Sequence, residues 1–249
     1  MTNQIDPIQP PTDSSIRIWR YMDFTKFVAM LEQGGLFFVR ACYLDDLFEG
    51  SYSRANEALR PQVYSQAGLS PEQQEKMFGQ LSVVSQQARG WVLVNCWHMN
   101  ERESAGMWKL YTATNESVCV QSTYRRLRSV LPTNVSMSVV HYIDYAKDWS
   151  PEGNLLYPFV HKRLSFAHEQ ELRALLFQSP PVLGGGMNFA AELPDRGIWQ
   201  SVTISDLVES VYIAPAAPEW FRELVARVVE RYKLNVPVHQ SVLDVSPFF

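Results

Sequence analysis

Residues 91–97 have the sequence Trp-Val-Leu-Val-Asn-Cys-Trp, and this stretch decides the class of fold. It is a continuous apolar run, which is typical of a strand buried on both faces of a sheet. The polar residues 98–101 end the run, and residues 103–111 have the composition of a helix. The stretch therefore predicts a central strand that leads into a helix.

The flanking sequence predicts further strands and helices on both sides of this centre. Short β-rich runs predict strands at 18–22, 36–41, 117–121, 135–142, 197–203 and 207–213. Caps and breakers predict helices at 25–33, 124–130 and 217–233, with two more between 53 and 90 broken around Gly68. Residues 151–162 are expected to form a loop and then a helix that holds Tyr157, Phe159 and Lys162.

These elements predict an α+β fold, with a single domain built on a central mixed or antiparallel sheet flanked by helices. We expect this domain to span residues 16–249. Residues 1–15 contain three prolines and show no periodicity, which predicts a mobile N-terminal tail.

Composition limits the classes of function. The chain has 249 residues, of which 46% are hydrophobic, so it can bury a large core without metals or disulfides. A net charge of −4 argues against nucleic-acid binding through a global basic field. No apolar run approaches the roughly 20 residues that a membrane span needs, so we expect a cytoplasmic protein without a membrane partner. Nothing in the sequence indicates an oligomeric state.

The first segment with candidate site residues is 38–50. Arg40 alternates with Phe38 and Cys42, so its side chain should point toward an apolar face. A buried arginine needs an anion. Two alternatives stay open: an internal ion pair with the acidic residues of the loop, which are Asp45, Asp46 and Glu49, or a bound phosphate or carboxylate.

The second segment is 95–111. His98 ends the central strand, and Trp108 and Tyr111 lie three residues apart on the following helix. An imidazole beside such an aromatic wall suits a planar ring as ligand. The alternative is that both rings belong to the core. Cys96 and His98 are poorly placed to act as nucleophile and base, because neighbours two apart on a strand do not reach each other well.

The third segment is 162–173. If it is a strand, Glu169, Glu171 and Arg173 lie on one face, with the two carboxylates about 7 Å apart. Such a pair can divide the work, one stabilising a developing cation and the other accepting a proton. If it is a helix, Glu169 and Arg173 form an ion pair on a solvated face.

Four motifs resemble those of a bacterial family known as domain of unknown function 2971. They are WRYMDFTKFV, LFFVRACYLDDLFEGS, NCWHMNERESAGMWKLY and HKRLSFAHEQELRA, and the resemblance runs from about residue 19 to the end. It implies membership of that family but no particular activity.

A weaker resemblance is to ADP-ribosyltransferases of the arginine–serine–glutamate type. Arg40, the strand end at 95–98 and Glu169-Gln170-Glu171 occur here in that family's order. The resemblance implies that Arg40 holds the phosphates or ribose of NAD, Glu171 stabilises the transition state and Glu169 orients the acceptor. Tyr111 or Trp108 would stack on nicotinamide. The family's serine–threonine–serine motif is absent, and residues 95–98 stand in its place, so the residue that supports the catalytic glutamate is either missing or replaced by His98.

These observations predict a nucleotide-directed bacterial enzyme, namely an ADP-ribosyltransferase-like toxin or defence effector with NAD as substrate and a protein or nucleic acid as acceptor. The predicted catalytic residues are Glu171, Glu169 and His98. The predicted NAD-binding residues are Arg40, Tyr111, Trp108, Lys162 and Arg173.

Two alternatives from other classes stay open. One is a hydrolase or nuclease-like effector that holds Mg²⁺ with acidic side chains, namely Asp45, Asp46, Glu49, Glu169 and Glu171. The other is a non-enzymatic module that senses an anion or nucleotide with Arg40, His98, Lys162 and Arg173.

Overall fold

A computed structural model describes residues 6–245 of the chain. The strands are β1 Arg17–Asp23, β2 Gly35–Arg40, β3 Val92–Met99, β4 Ser117–Thr123, β5 Ser136–Val139, β6 His141–Ile143, β7 His161–Arg163, β8 Glu171–Phe177, β9 Val182–Leu183, β10 Gly186–Met187, β11 Gly197–Ser201, β12 Ser210–Ile213 and β13 Val238–Gln240. The α-helices are α1 Phe24–Gln33, α2 Arg54–Gln66, α3 Pro71–Ala88, α4 Ala105–Tyr111, α5 Tyr124–Val130, α6 Ile204–Leu207 and α7 Glu219–Arg231. Among these residues no helix is long and apolar enough to cross a membrane.

The central sheet is built around β3. Within the described chain it contains nine strands, in the order β11-β2-β3-β1-β4-β12-β13, with β8 on the other edge of β3 and β5 beside β8. The β12–β13 pair is parallel and the other pairs are antiparallel, so the sheet is mixed. Helices flank it. The predicted α+β class and the single domain with a mixed central sheet are therefore confirmed.

The sheet splits at β3. One edge of β3 pairs with β8 from Val92 to His98. The opposite edge pairs with β2 at residues 93 and 94 and with β1 at residues 98 and 99. The strands β1 and β2, which α1 joins, therefore diverge and leave residues 95–97 of β3 between them. The Asn95 side chain bridges part of this gap by donating from Nδ2 to the Phe37 carbonyl at 2.9 Å.

The two faces of the sheet bury different side chains. One face packs against α1, α5 and α7 and forms the largest core cluster, which includes Leu93 and Trp97 of β3. The other face carries two smaller clusters, one around Trp19 and Tyr21 and one around Val94 and Phe159. Because successive strand residues point to opposite faces, Cys96, His98, Glu171 and Arg173 lie with these smaller clusters.

Most local boundaries follow the sequence. The helix α1 ends at Gly34, whose φ of 56° is left-handed. The α2 and α3 helices break near Gly68 as expected, and Ser70 begins α3 with a capping box.

Three expectations are corrected. Lys162 lies in strand β7, not in a helix, because β7 pairs in parallel with β6. Residues Leu164–Glu169 form a 3₁₀ helix and the strand begins only at Glu171, so 164–173 is neither all strand nor all helix. The predicted strand at 207–213 begins later, after α6, at Ser210.

The N-terminal segment from residue 6 contacts the domain. The Gln9 amide donates to Ser138 Oγ at 3.0 Å, and its carbonyl accepts from the Val139 amide at 2.9 Å. The Pro7 carbonyl accepts from Ser138 Oγ and from His141 Nε2. This part of the predicted tail is therefore attached to β5, while residues 1–5 of that prediction lie outside the described residues.

Candidate functional site

A cavity of about 790 Å³ opens where β1 and β2 diverge. This volume lies within the range of small-molecule sites in proteins. Its lining includes the consecutive pairs Arg20 and Tyr21 of β1 and Cys96 and Trp97 of β3. Since neighbouring strand residues point to opposite faces, the cavity reaches both faces of the sheet at the split.

The cavity is lined by a charged cluster at β8. The Arg173 side chain is 1% exposed and donates to both Glu49 oxygens at 2.6 and 2.7 Å. It also donates to Glu171 at 2.7 and 3.0 Å and to the Phe159 carbonyl at 2.8 Å. Such forked, charge-assisted bonds are strong and directional. Arg173 therefore fixes two carboxylates in the wall of the cavity.

Lys162 joins the same cluster from β7. Its Nζ lies 2.6 Å from Glu169, 3.3 Å from Glu49 and 3.4 Å from Glu171. Burial alone would lower the pKa of this ammonium group, but the carboxylates of Glu171 and Glu49 and the hydrogen bond to Glu169 outweigh burial and raise the pKa. The cluster of Glu49, Lys162, Glu169, Glu171 and Arg173 is called the β8 cluster below.

The two glutamates differ in acidity. Burial opposes ionisation of Glu171, but the charge and hydrogen bonds of Arg173 and the charge of Lys162 prevail and lower its pKa to about 2. Burial raises the pKa of Glu169 above its usual value, although Lys162 acts in the opposite direction. Neighbouring carboxyl groups with divergent pKa values are the usual arrangement for separate acid–base and electrostatic roles.

His98 holds the turn that carries Glu169. Its Nδ1 lies 2.6 Å from the Glu169 carbonyl, and because a carbonyl only accepts, Nδ1 must carry the proton. Nε2 then accepts from the Asn100 side-chain amide at 3.3 Å. Burial lowers the pKa of His98 and favours this neutral form. His98 lines the cavity, but both ring nitrogens are used by the protein, so its contribution is to position Glu169.

The two rings predicted to stack on a ligand lie in different places. Tyr111 lines the cavity rim with 44% of its surface exposed. Partial burial and the carboxylates of Glu169 and Glu171 raise the pKa of its phenol. Trp108 does not line the cavity: it is 4% exposed, packs edge-on against Tyr21 and donates to Glu103 at 2.9 Å. Trp108 is therefore a core residue, and the ring available to a ligand from this helix is Tyr111.

Arg40 also lies away from the cavity. It is fully buried, and its three nitrogens donate to the Gly90 carbonyl and to the carbonyl and carboxylate of Asp195, at 2.7 to 3.1 Å. The predicted internal ion pair therefore exists, but its partner is Asp195 rather than the 45–49 loop. The structure assigns Arg40 a structural role in place of the predicted contact with NAD.

The acidic loop does not form a metal site. Asp46 is bound by Arg163 at 2.8 Å, and Glu49 by Arg173 and Lys162. Asp45 is exposed at the cavity edge. In residues 6–245 no group of three or more His, Cys, Asp or Glu side chains has the arrangement of a metal site. Cations of the protein itself occupy four of the five carboxylates that the Mg²⁺ alternative requires, all except Asp45.

Sequence reasoning missed Arg20 as a site residue, and it placed Glu49 in the same cleft as Glu169 and Glu171 without pairing it with Arg173. Arg20 lines the cavity from β1, between the buried residues Trp19 and Tyr21. The argument applied to Arg40, that an arginine within an apolar strand needs an anion, applies equally to Arg20 and would have found it. Glu49 lies far from Arg173 in the sequence, so only the fold shows their contact.

Comparison of the chain with protein-family models, with curated proteins and with solved structures finds no match.

Proposed function

We propose that this protein is an enzyme that cleaves the nicotinamide–ribose bond of NAD and transfers ADP-ribose to an acceptor. The observation that carries the proposal is the charge of the β8 cluster. Three carboxylates face two cations, so the ionised cluster has one negative charge in excess in the wall of the cavity. A cationic group is the natural complement of such a wall.

The nicotinamide ring of NAD is cationic, and so is the sugar as the bond breaks. Cleavage separates the ring nitrogen from ribose C1′, the electron pair leaves with the ring, and neutral nicotinamide departs. The ribose passes through an oxocarbenium-like state, as in glycoside hydrolysis. The acceptor then forms a bond to C1′ and loses its proton.

The residues of the cluster support separate roles in these steps. Glu171, with its pKa near 2, stays ionised throughout the physiological range and suits stabilisation of the positive ribose. Glu169, with a raised pKa, suits acceptance of the proton from the acceptor. Tyr111 at the rim offers its ring to nicotinamide.

The test is nicotinamide release by the wild type and by Glu171→Gln. This change keeps the shape of the side chain and removes its charge, so we expect NAD to bind within a few-fold of the wild-type affinity while release falls about a hundredfold or more. Calorimetric titration measures binding, and detection of free nicotinamide measures release.

Glu152→Gln is the matched control. Glu152 is also a carboxylate with a buried side chain bound by an arginine, Arg60, but it lies outside the cavity. This variant should keep both binding and release. Equal release by Glu171→Gln and the wild type would contradict the proposal. NAD binding without release in the wild type would instead favour the sensing module, which does not need Glu171.

A further inference from the structure

Arg20 is a cationic side chain of the cavity that no carboxylate within residues 6–245 neutralises. Its guanidinium carbon lies 5.8 Å from the centroid of the Trp97 ring. Its Nη1 is buried and has no hydrogen-bond partner in the described part of the chain. Buried charges in proteins are paired or bind a ligand, because an isolated one is costly.

The surroundings of Arg20 do not relieve this cost. Burial lowers the pKa of its guanidinium to about 10, which still leaves it charged at neutral pH. The nearby Cys96 thiol is neutral there, because burial raises its pKa well above the ordinary value. Arg20 therefore keeps an uncompensated positive charge beside the cavity.

The other cations of the cavity differ from Arg20 in this respect. Lys162 and Arg173 are each bound to carboxylates of the β8 cluster. Lys26 contacts Asp23 and is 69% exposed to solvent, and Arg196 is also exposed and lies over the ring of Tyr43. Neither condition holds for Arg20, so its donors are the ones that still require an acceptor.

The register fixes the position of Arg20 relative to the β8 cluster. Trp19 lies opposite His98, and His98 lies opposite Glu171. Arg20 follows Trp19, so two strand spacings, roughly 10 Å, separate its backbone from that of Glu171. The two side chains point to opposite faces. The cavity therefore has a positive group and an excess negative charge at separate places along its length.

We propose that Arg20 binds the diphosphate of an extended nucleotide ligand whose other end reaches the β8 cluster. The anion site itself stands on the unpaired guanidinium, whereas the identification of the anion as the diphosphate of NAD rests on the proposed function. A guanidinium can donate two parallel hydrogen bonds to phosphate oxygens, which suits a group that must be held in one orientation.

The test titrates inorganic pyrophosphate into the wild type, Arg20→Gln, Arg20→Lys and Lys26→Gln, with heat of binding and thermal unfolding as readouts. The wild type should bind pyrophosphate and unfold at a higher temperature when it is present. Arg20→Gln should weaken binding about tenfold or more, which is the size of a lost charge-assisted bond. Lys26→Gln removes an exposed charge of the same cavity and should leave the affinity within about twofold.

Stability provides a second readout. Because removal of an unpaired, partly buried charge relieves a cost, Arg20→Gln without ligand should unfold at the wild-type temperature or above it. If this variant does not fold, Arg20→Lys is the test. It keeps the positive charge but lacks the forked guanidinium, so it should bind pyrophosphate several-fold more weakly than the wild type.

Three results would overturn the inference. They are no pyrophosphate binding by the wild type, binding by both Arg20 variants with the wild-type affinity, or tighter binding of succinate than of pyrophosphate by the wild type. The last would assign Arg20 to a carboxylate ligand. Failure of the proposed function appears differently. If nicotinamide is never released but pyrophosphate binding still depends on Arg20, the transferase proposal falls and the anion site remains.

Discussion

At the scale of single residues, Arg40 and Arg20 show how the same residue type acquires different roles. Both lie in apolar strands, and both guanidinium groups contact a tryptophan ring. The donors of Arg40 are used by Gly90 and Asp195, whereas Arg20 keeps a buried nitrogen without a partner among the described residues. A satisfied, fully buried arginine stabilises the fold, and a partly exposed one with an unused donor is available to a ligand.

Arg40→Met should therefore impair stability and leave binding intact. The change leaves the buried Gly90 carbonyl and the partly buried Asp195 carbonyl without their donor, and we expect it to lower the free energy of unfolding by about 2 kcal/mol or more, measured by urea denaturation. Below its unfolding transition, the variant should bind pyrophosphate as the wild type does. Arg222→Gln, which removes a half-exposed arginine from α7, should change stability by less than about 0.5 kcal/mol. Loss of ligand binding by folded Arg40→Met would contradict this expectation and show that Arg40 contributes to the ligand site.

At the scale of elements, the loop before α2 holds the β8 cluster in place through Gly50. This glycine has a φ of 75°, and a Cβ built there would lie 2.3 Å from Phe159 Cε1. The adjacent Glu49 and the carbonyl of Phe159 both accept from Arg173. A side chain at residue 50 would therefore displace two partners of the same guanidinium.

Gly50→Ala and Gly34→Ala form a matched pair. Both glycines have positive φ, but a Cβ at Gly34 would meet no atom within 4 Å of the described structure. Gly34→Ala should lower the free energy of unfolding by about 1 kcal/mol, which is the cost of a left-handed backbone at alanine. Gly50→Ala should lower it by about 3 kcal/mol, because steric conflict with Phe159 is added. Thermal and urea unfolding measure both. Equal losses of stability in the two variants would show that the Phe159 ring moves aside without a measurable energetic cost.

The elements also show where sequence reasoning succeeds and where it ends. The strand at 91–97 and the helices bounded by Gly34, Gly68 and Ser70 follow from local patterns, because apolar runs, caps and left-handed glycines act within a few residues. Local sequence predicts a helix at Lys162. The strand found there depends on pairing with β6, which local sequence does not reveal. The 3₁₀ helix before Glu171 is followed by Gln170, whose φ of 40° is an unusual conformation that propensity does not foresee.

The candidate site was predicted in part for the same reason. Glu169, Glu171, Arg173 and Lys162 are close in sequence, and the structure brings them together. The partners of Arg40 and Arg173 lie far along the chain, at Asp195 and Glu49, so their pairings could not be deduced from spacing.

At the scale of the whole molecule, buried histidines connect the stability of the fold to pH. His98 holds the Glu169 turn, and His161, which is 4% exposed, bonds the Tyr157 carbonyl and lies 5.6 Å from the ring of His141. His141 in turn bonds Pro7 of the N-terminal segment. Burial lowers the pKa of both His98 and His161 from the ordinary 6.5.

The free energy of unfolding should therefore fall as the pH falls below about 6.5. The unfolded chain binds protons in this range more readily than the folded one, so acid favours unfolding. Urea denaturation at pH 7.5, 6.5 and 5.5 measures the slope, and His161→Gln should flatten it. His239→Gln, at an exposed position, should leave the slope unchanged. A wild-type stability independent of pH across this range would contradict the expectation.

The pairing of β11 with β2 has a consequence for the order of folding. Trp199 lies opposite Phe37, and their rings are 5.2 Å apart at the edge of the cavity. Contacts between such distant parts of a chain form slowly, because a long loop must close first. During synthesis, β2 remains without its outer neighbour until residues 197–201 have left the ribosome. The wall that contains Trp199 is then a late part of the cavity to assemble, and a nascent chain would gain full ligand affinity only after residues 197–201 have emerged and paired with β2.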